Sequence, residues 1–351
     1  MDRPRELLFT TLDDAGLWDR FVERCPRGSR FASSPWVESC CLASKSRRRI
    51  IGACRGDTLI GGLAVAETGF GALRSAWSVP LTPYGGLLTL ARQQGGHCSL
   101  EDETLGFSAG LLPALTHQLL CRYVSIDLVH SPPWPDARPF LWAGWQVEPR
   151  YVSRVGLTSS DQAWSTLSSR AKDAVRAAVE AGFRYHRSAG FEAFWHLSRV
   201  GPGRRDARLP AALEQHLHAM GELGVAWSAQ VVSPAGDPVA AAILVDNGNT
   251  LSALRLAFDR SVPGTGCEFL LVWGILEDSA SRFQSFELLA EGQSESVALE
   301  RDFGGQVVPY LRSRVTRRGP LGLAITGARA VYSLAGRCSG VPGGPGARSD
   351  G

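Results

Sequence analysis

Three stretches of the chain set charged residues or glycines where a substrate could meet them. The first is Asp259-Arg-Ser-Val-Pro-Gly-Thr-Gly266, with an apolar strand pattern before it and an apolar helix pattern after it. Glycines at the mouth of a helix let backbone N–H groups converge on an anion, and the helix dipole favours negative charge there. Gly264 and Gly266 are therefore candidate binding positions, although a Pro-Gly turn leading into a core helix has the same pattern. The second is the helical stretch Leu167–Phe183. Its apolar stripe leaves Lys172 and Arg176 off the stripe, four residues apart on one side, where they could jointly grip a phosphate or carboxylate or simply face solvent. The third is the strand-like Phe286-Glu287, followed by the turn Leu299-Glu-Arg-Asp-Phe-Gly-Gly305. Glu287, or Glu291 beyond it, could act as a base or an orienting group, or be an ordinary strand-end carboxylate. A fourth, aromatic pattern joins Arg30-Phe-Ala-Ser-Ser-Pro-Trp36 to Thr82-Pro-Tyr84-Gly-Gly86. Aromatics beside Pro and Gly line many small-molecule clefts, and Trp36 and Tyr84 are the candidates there.

Other chemistries find less support. Gly106-Phe-Ser108-Ala-Gly110 matches Gly-x-Ser-x-Gly by letter, but an acidic stretch precedes it where a nucleophile elbow needs a buried strand. The eight cysteines and seven histidines show no zinc-like spacing, which predicts no metal and buried free thiols. Positioning and electrostatics suit these residues better than covalent catalysis.

The elements that must hold these residues follow from periodicity. The predicted order is two helices, the hairpin 49–54/59–67, an irregular loop, a helix over 107–123 and a strand over 124–129. Two further strands, 144–147 and 150–156, close the first half. The second half repeats that order after one long helix, 161–182. It has helices at 190–199 and 210–223, strands at 225–232, 238–245 and 250–258, a helix at 267–281 and a strand at 285–289. The expected fold is α/β, with a first domain over 1–156, a second over 157–320, and a disordered tail over 337–351.

Composition bounds the rest. The 351 residues carry 37 Lys+Arg against 34 Asp+Glu, too even a balance to imply a nucleic-acid coat. Only Lys45 and Lys172 are lysines, so the other cations are arginine, as a GC-rich genome would produce. From 305 to 351, seven arginines face one aspartate, a basic stretch that could meet an anionic partner or stay an unpartnered tail. No leader or membrane-spanning stretch is read from the sequence, and a cytoplasmic monomer is expected.

Taken in order, these segments resemble the Fem-type peptidyltransferases and their relatives, the double-domain N-acyltransferase group. The first half contributes Trp18-x-x-Phe21, Phe31-x-x-x-Pro35-Trp36, the hairpin and Pro83-Tyr-Gly-Gly86. The second contributes Leu167, Lys172, Arg176, Gly182, Ala257-Phe-Asp259, Pro263-Gly-x-Gly266, Phe286-Glu287 and Phe303-Gly304. The resemblance spans roughly residues 5–315, and its strength lies in the ordered set. It implies two tandem N-acetyltransferase-like domains with mixed sheets. It also implies aminoacyl-tRNA as donor substrate, no cofactor, and an amine that attacks the ester carbonyl without a covalent enzyme intermediate. In that frame Lys172 and Arg176 bind anionic substrate groups, and Arg301 stabilises the developing oxyanion, a role worth ~2–4 kcal/mol. Glu287 or Asp259 orients or deprotonates the amine.

The sequence departs from that family at three positions. Cys40 stands where wall-building members carry a lysine for the nucleotide-linked acceptor, Glu300 replaces the lysine of the Phe-Gly turn, and Lys172 replaces an arginine. The expected acceptor is therefore a small biosynthetic amine or peptide natural-product intermediate rather than a peptidoglycan precursor. The alternatives are an acyl-CoA-dependent N-acyltransferase, against which Pro263 counts because it lacks an N–H, and a scaffold that has lost catalysis.

Overall fold

The computed structural model describes residues 7–90, 110–134, 136–200, 211–259, 261–262, 265–289 and 300–319. Asp14 accepts a hydrogen bond from the Leu17 N–H and starts α1 (Ala15–Arg24). Pro35 in the first turn of α2 (Ser34–Ala43) costs that helix no hydrogen bond. β1 (Leu7–Thr11) precedes these helices, and the hairpin β2 (Arg47–Arg55) and β3 (Thr58–Thr68) follows, turning at Gly56 with φ +61°. Then come β4 (Ser75–Trp77), β5 (Leu87–Thr89), α3 (Leu112–Arg122), β6 (Ser125–Val129), α4 (Arg138–Trp142) and β7 (Gln146–Gly156).

The second half opens with α5 (Ser160–Thr166), α6 (Ser169–Glu180) and β8 (Arg184–Ser188). α7 (Glu192–Val200), α8 (Ala211–Glu222), β9 (Ala226–Val232), β10 (Pro238–Asn247) and β11 (Thr250–Phe258) follow. α9 (Cys267–Ser279), β12 (Ser285–Leu288) and β13 (Gln306–Thr316) complete the described elements.

Two expectations change. The single helix over 161–182 is two helices, because Leu167 is extended (ψ 142°) and Ser168 restarts the chain as an N-cap, accepting from the Ala171 N–H at 3.1 Å. Ser168 is held there from outside. Its N–H donates to the Asp302 carbonyl at 2.9 Å, and its hydroxyl to Asp302 Oδ1 at 2.8 Å. Apolar periodicity runs through this break unaltered, so the cap is the deciding force. The two strands expected over 144–147 and 150–156 are the single β7, in which Pro149 pairs with Leu311 of β13.

The strands form one mixed sheet in the order β1-β2-β3-β4-β6-β13-β7-β12-β11-β10-β9-β8, with β5 on β3. β4/β6 and β11/β12 are its parallel pairs, one in each half. The halves exchange their last strands: β7 follows β6 in the chain but pairs with β12, and β13 follows β12 but pairs with β6. This exchange carries Arg154 of β7 into register with Glu287 of β12.

Helices cover both faces. α1, α2, α7 and α8 share one core with one face of the strands, including Trp18, Trp36, Phe194 and Leu217. On the other face, α5, α6 and α9 pack over the second half through Ala171, Val175, Leu271 and Ile275, and α3 and α4 over the first. Truncating a buried tryptophan such as Trp18 or Trp36 to alanine costs ~3–5 kcal/mol.

Candidate active site and its relatives

Glu287 is fully buried, and both its oxygens are engaged. Oε1 accepts from the Tyr84 hydroxyl and from Ser252 Oγ at 2.5 Å, and Oε2 accepts from Arg154 Nη2 at 2.9 Å. Strand register explains the set, because Ser252 and Arg154 stand directly opposite Glu287 on its two neighbouring strands. Tyr84 arrives from the first half and also accepts from Asn247 Nδ2 at 2.8 Å. Asn247 Oδ1 in turn accepts from the Arg30 N–H at 2.7 Å. Burial and the Glu287 carboxylate push the Tyr84 hydroxyl well above the ordinary phenol range, so it stays a donor. Three donors hold the Glu287 carboxylate in place and leave one acceptor position, on Oε2.

The first half has a counterpart. Asp127, the third residue of β6 as Glu287 is of β12, pairs across its parallel neighbour with Trp77. Burial alone would raise its carboxyl, but Arg312 Nε at 2.8 Å and Arg314 Nε at 2.9 Å outweigh burial and hold it below the usual range.

Beside the Glu287 network lies a cleft of about 920 Å³, lined from both halves by Trp36, Tyr84, Arg154 and Asn247 among others. Trp36 is buried, donates from Nε1 to Thr82 Oγ1 at 2.9 Å, and meets Phe31 edge-on at 4.8 Å. Phe31 meets Tyr84 the same way at 5.1 Å. The structure thus brings together Trp36, Tyr84 and Glu287.

The remaining candidates lie elsewhere. Lys172 and Arg176 are on α6, in the layer across the sheet. Lys172 Nζ donates to the Ser165 carbonyl at 3.1 Å, while the exposed Arg176 pairs with Asp173 at 3.6 Å and lies over Trp164. Gly266 caps α9 with φ +71°, and a Cβ there would sit 2.5 Å from the Ala174 carbonyl oxygen, so this glycine lets α9 approach α6. Gly264, Pro263, Glu291, the serine of Gly-x-Ser-x-Gly and the tail over 337–351 lie outside the described residues. Asp259 ends seven residues along β11 from Ser252, roughly 20 Å away at strand rise. Hydrogen bonds from Ser261, side chain first and then backbone, hold its carboxyl below the usual range, which weakens it as a base. Arg301 is exposed, and the two residues after it are anchored, Asp302 on Ser168 and buried Phe303 stacked on Phe269.

Cys40, the position of the expected acceptor lysine, is inside the protein. Burial pushes its thiol up to about 12, and its Sγ lies 3.4 Å from Nε2 of His216, whose ring burial lowers to about 4. His216 also meets Trp36 edge-on at 4.4 Å. α2 and α8 therefore meet through neutral groups at this position, with no grip for a phosphate.

Sequence reading missed Arg154, Ser252 and Asn247. Arg154 sits among alternating polar residues on a strand, and Asn247 reads as a turn residue. Only the exchange of β7 and β13 brings Arg154 to Glu287, and nothing local in the sequence signals it.

At β11 the ladder to β10 slips, so that Leu254 is an extra residue between Ala253 and Arg255. This bulge lies at the end of the paired part of β11/β12, after which β11 continues towards α9 paired with β10 only. The acetyltransferase (GNAT) domain family matches residues 165–295, which hold these elements. No curated protein matches the chain. Among solved structures, FemX is similar over 88% of this chain and 96% of its own, with TM-score 0.64 and 12% identity. A tandem GNAT protein from the clavulanic acid biosynthesis pathway is similar over 90% and 100%, with TM-score 0.53 and 13% identity. The C-terminal domain of a putative lysylphosphatidylglycerol synthetase from Agrobacterium fabrum is similar over 89% and 96%, with TM-score 0.52 and 12% identity. Among the described residues no helix is long and apolar enough to cross a membrane. The chain therefore carries an α/β fold of two GNAT-like units in tandem, with mixed sheets.

Proposed function

We propose that this protein is an acyltransferase that moves an amino acid from aminoacyl-tRNA to a small amine acceptor held in the cleft between its two units. The observation that carries this reading is the cleft itself. Its wall joins Trp36, Tyr84 and Arg154 of the first half to Asn247 of the second, and the Tyr84–Glu287 contact locks the two sides together. The similarity to FemX over most of both chains is one of fold, and the donor class rests on the ordered motifs of the two halves. Gly266 supports it indirectly, because packing against Ala174 already accounts for that glycine, and Pro263 removes an N–H from the loop that would hold a pyrophosphate.

In the reaction the amine nitrogen attacks the ester carbonyl, a C–N bond forms and the C–O bond to the ribose breaks. The proton lost by the amine ends on the ribose hydroxyl. Arg301 is assigned to the developing oxyanion by the sequence resemblance alone, since its turn packs on Ser168 and Phe269 in the layer across the sheet from the cleft. The buried Cys40 and His216 favour a small biosynthetic or peptide natural-product amine over a nucleotide-linked wall precursor as acceptor.

The test is a transfer assay with charged, radiolabelled tRNA pools and candidate amines, with and without ribonuclease. Ribonuclease-sensitive transfer is expected. Ribonuclease-insensitive transfer that requires an acyl-CoA would overturn the donor assignment.

A further inference from the structure

The cleft has a chemical character beyond its position. Four arginines line it (Arg24, Arg27, Arg30 and Arg154) against two carboxylates, Asp19 and Glu23. Asp19 accepts from the Ser34 N–H at 2.7 Å and Arg30 lies 3.8 Å from Asp246, so the lining stays net cationic with four arginines to two carboxylates. Arg27 is almost fully buried, with its guanidinium stacked 4.0 Å over Trp134 and Nε on the Pro133 carbonyl at 3.0 Å. That geometry fixes a cation in the wall rather than leaving it to move with solvent.

Two buried polar atoms in the lining lack partners: Arg154 Nε and Ser29 Oγ, the latter on a residue only 9% exposed. Arg154 already spends Nη2 on Glu287, so its Nε is a charged donor left over beside the cleft. An unpaired buried donor costs ~1–3 kcal/mol, which an incoming acceptor atom would relieve. The rest of the wall mixes apolar residues such as Val225 and Pro133 with polar ones such as Ser131, Asn249 and Thr250.

We propose that this cleft binds an organic anion, with a carboxylate or phosphate head received by Arg154 and Ser29 and the remainder lying along the mixed wall beyond them. The proposal rests on the reading of the cleft as the acceptor site and assigns that acceptor an oxyanion as well as its amine. It makes no use of the donor.

The test is calorimetric titration of the full-length protein with octanoate, octyl phosphate and octylamine, without any donor. One or both anions are expected to bind and octylamine is not; the tighter anion identifies the head group. Arg154→Gln should weaken anion binding about tenfold or more. Because that variant disturbs Glu287, Ser29→Ala provides a second reading, with an expected loss of about fivefold in a fold left intact by circular dichroism. Octylamine binding as tightly as the anions, no anion binding at all, or unchanged affinity in folded Ser29→Ala overturns the proposal. None of these results touches the tRNA assay, so failure here and failure of the transferase reading are told apart.

Discussion

Tyr84 and Glu287 stand 203 residues apart in the chain and meet through one hydrogen bond, phenol to carboxylate, inside the protein. This contact joins the irregular loop of the first half to the parallel strand pair of the second. Tyr84→Phe removes the donor, leaves Asn247 Nδ2 without its acceptor, and keeps the ring packing against Phe31. The expected cost is about 1–3 kcal/mol in urea unfolding, with an unchanged m-value. An unchanged midpoint would show that the contact holds nothing.

Arg154 and Glu287 form an ion pair with one partner fully buried. Removing the cation strands a buried charge, so Arg154→Met should cost about 3–5 kcal/mol. Adding Glu287→Gln removes the stranded charge. The double variant should therefore be more stable than Arg154→Met alone, by about 1 kcal/mol or more. A double variant that is simply the sum of both losses would show that the two side chains do not couple.

Much of this arrangement is written locally. The hairpin at Gly56, the turn at Gly248 (φ +78°) and the cap at Asp14 each follow from one residue's own chemistry. The Ser168 break is not local in the same way. It depends on Asp302, 134 residues downstream, and the apolar stripe hides it. The site divides likewise. Trp36, Tyr84 and Glu287 are visible as aromatic and acidic residues next to Pro, Gly or strand ends. Arg154 becomes part of the site only through an exchange of strands, which no periodicity encodes.

Asp127 should make stability depend on pH in a defined direction. Its folded carboxyl is held below the unfolded value by Arg312 and Arg314 despite burial. Such a group stabilises the fold above its unfolded pKa of about 4, and that contribution is lost as pH falls through the lower, folded value. Asp127→Asn should thus be clearly less stable than the parent protein at pH 7, and the gap should narrow as pH falls below about 4. Urea unfolding at pH 7, 4 and 3 checks this; a gap that stays constant would exclude the linkage.

Gly266 meets two demands at once, φ +71° and the close approach to Ala174. Gly266→Ala must bear about 1–2 kcal/mol for a left-handed backbone and also push α9 away from α6. A loss above about 2 kcal/mol is expected in thermal or urea unfolding. Gly248→Ala, also at positive φ but with open space around its Cβ position, supplies the comparison and should cost only the backbone part. Equal losses in the two variants would remove the packing role.

Arg301 separates catalysis from stability. Its side chain is exposed, while its neighbours carry the anchoring: Asp302 holds Ser168, and Phe303 stacks on Phe269 at 5.9 Å between centroids. Arg301→Ala should leave unfolding within about 0.5 kcal/mol of the parent. If the guanidinium faces the oxyanion, turnover should fall by about 10²-fold, as for the loss of one donor to a developing negative charge. Asp302→Ala supplies the contrast, since it frees the turn and the Ser168 cap together and should lower stability by about 1–2 kcal/mol along with turnover. A protein that keeps its transfer rate without Arg301 would place the oxyanion against other groups, and Glu300 beside it could then no longer be read as the residue that altered the turn's chemistry.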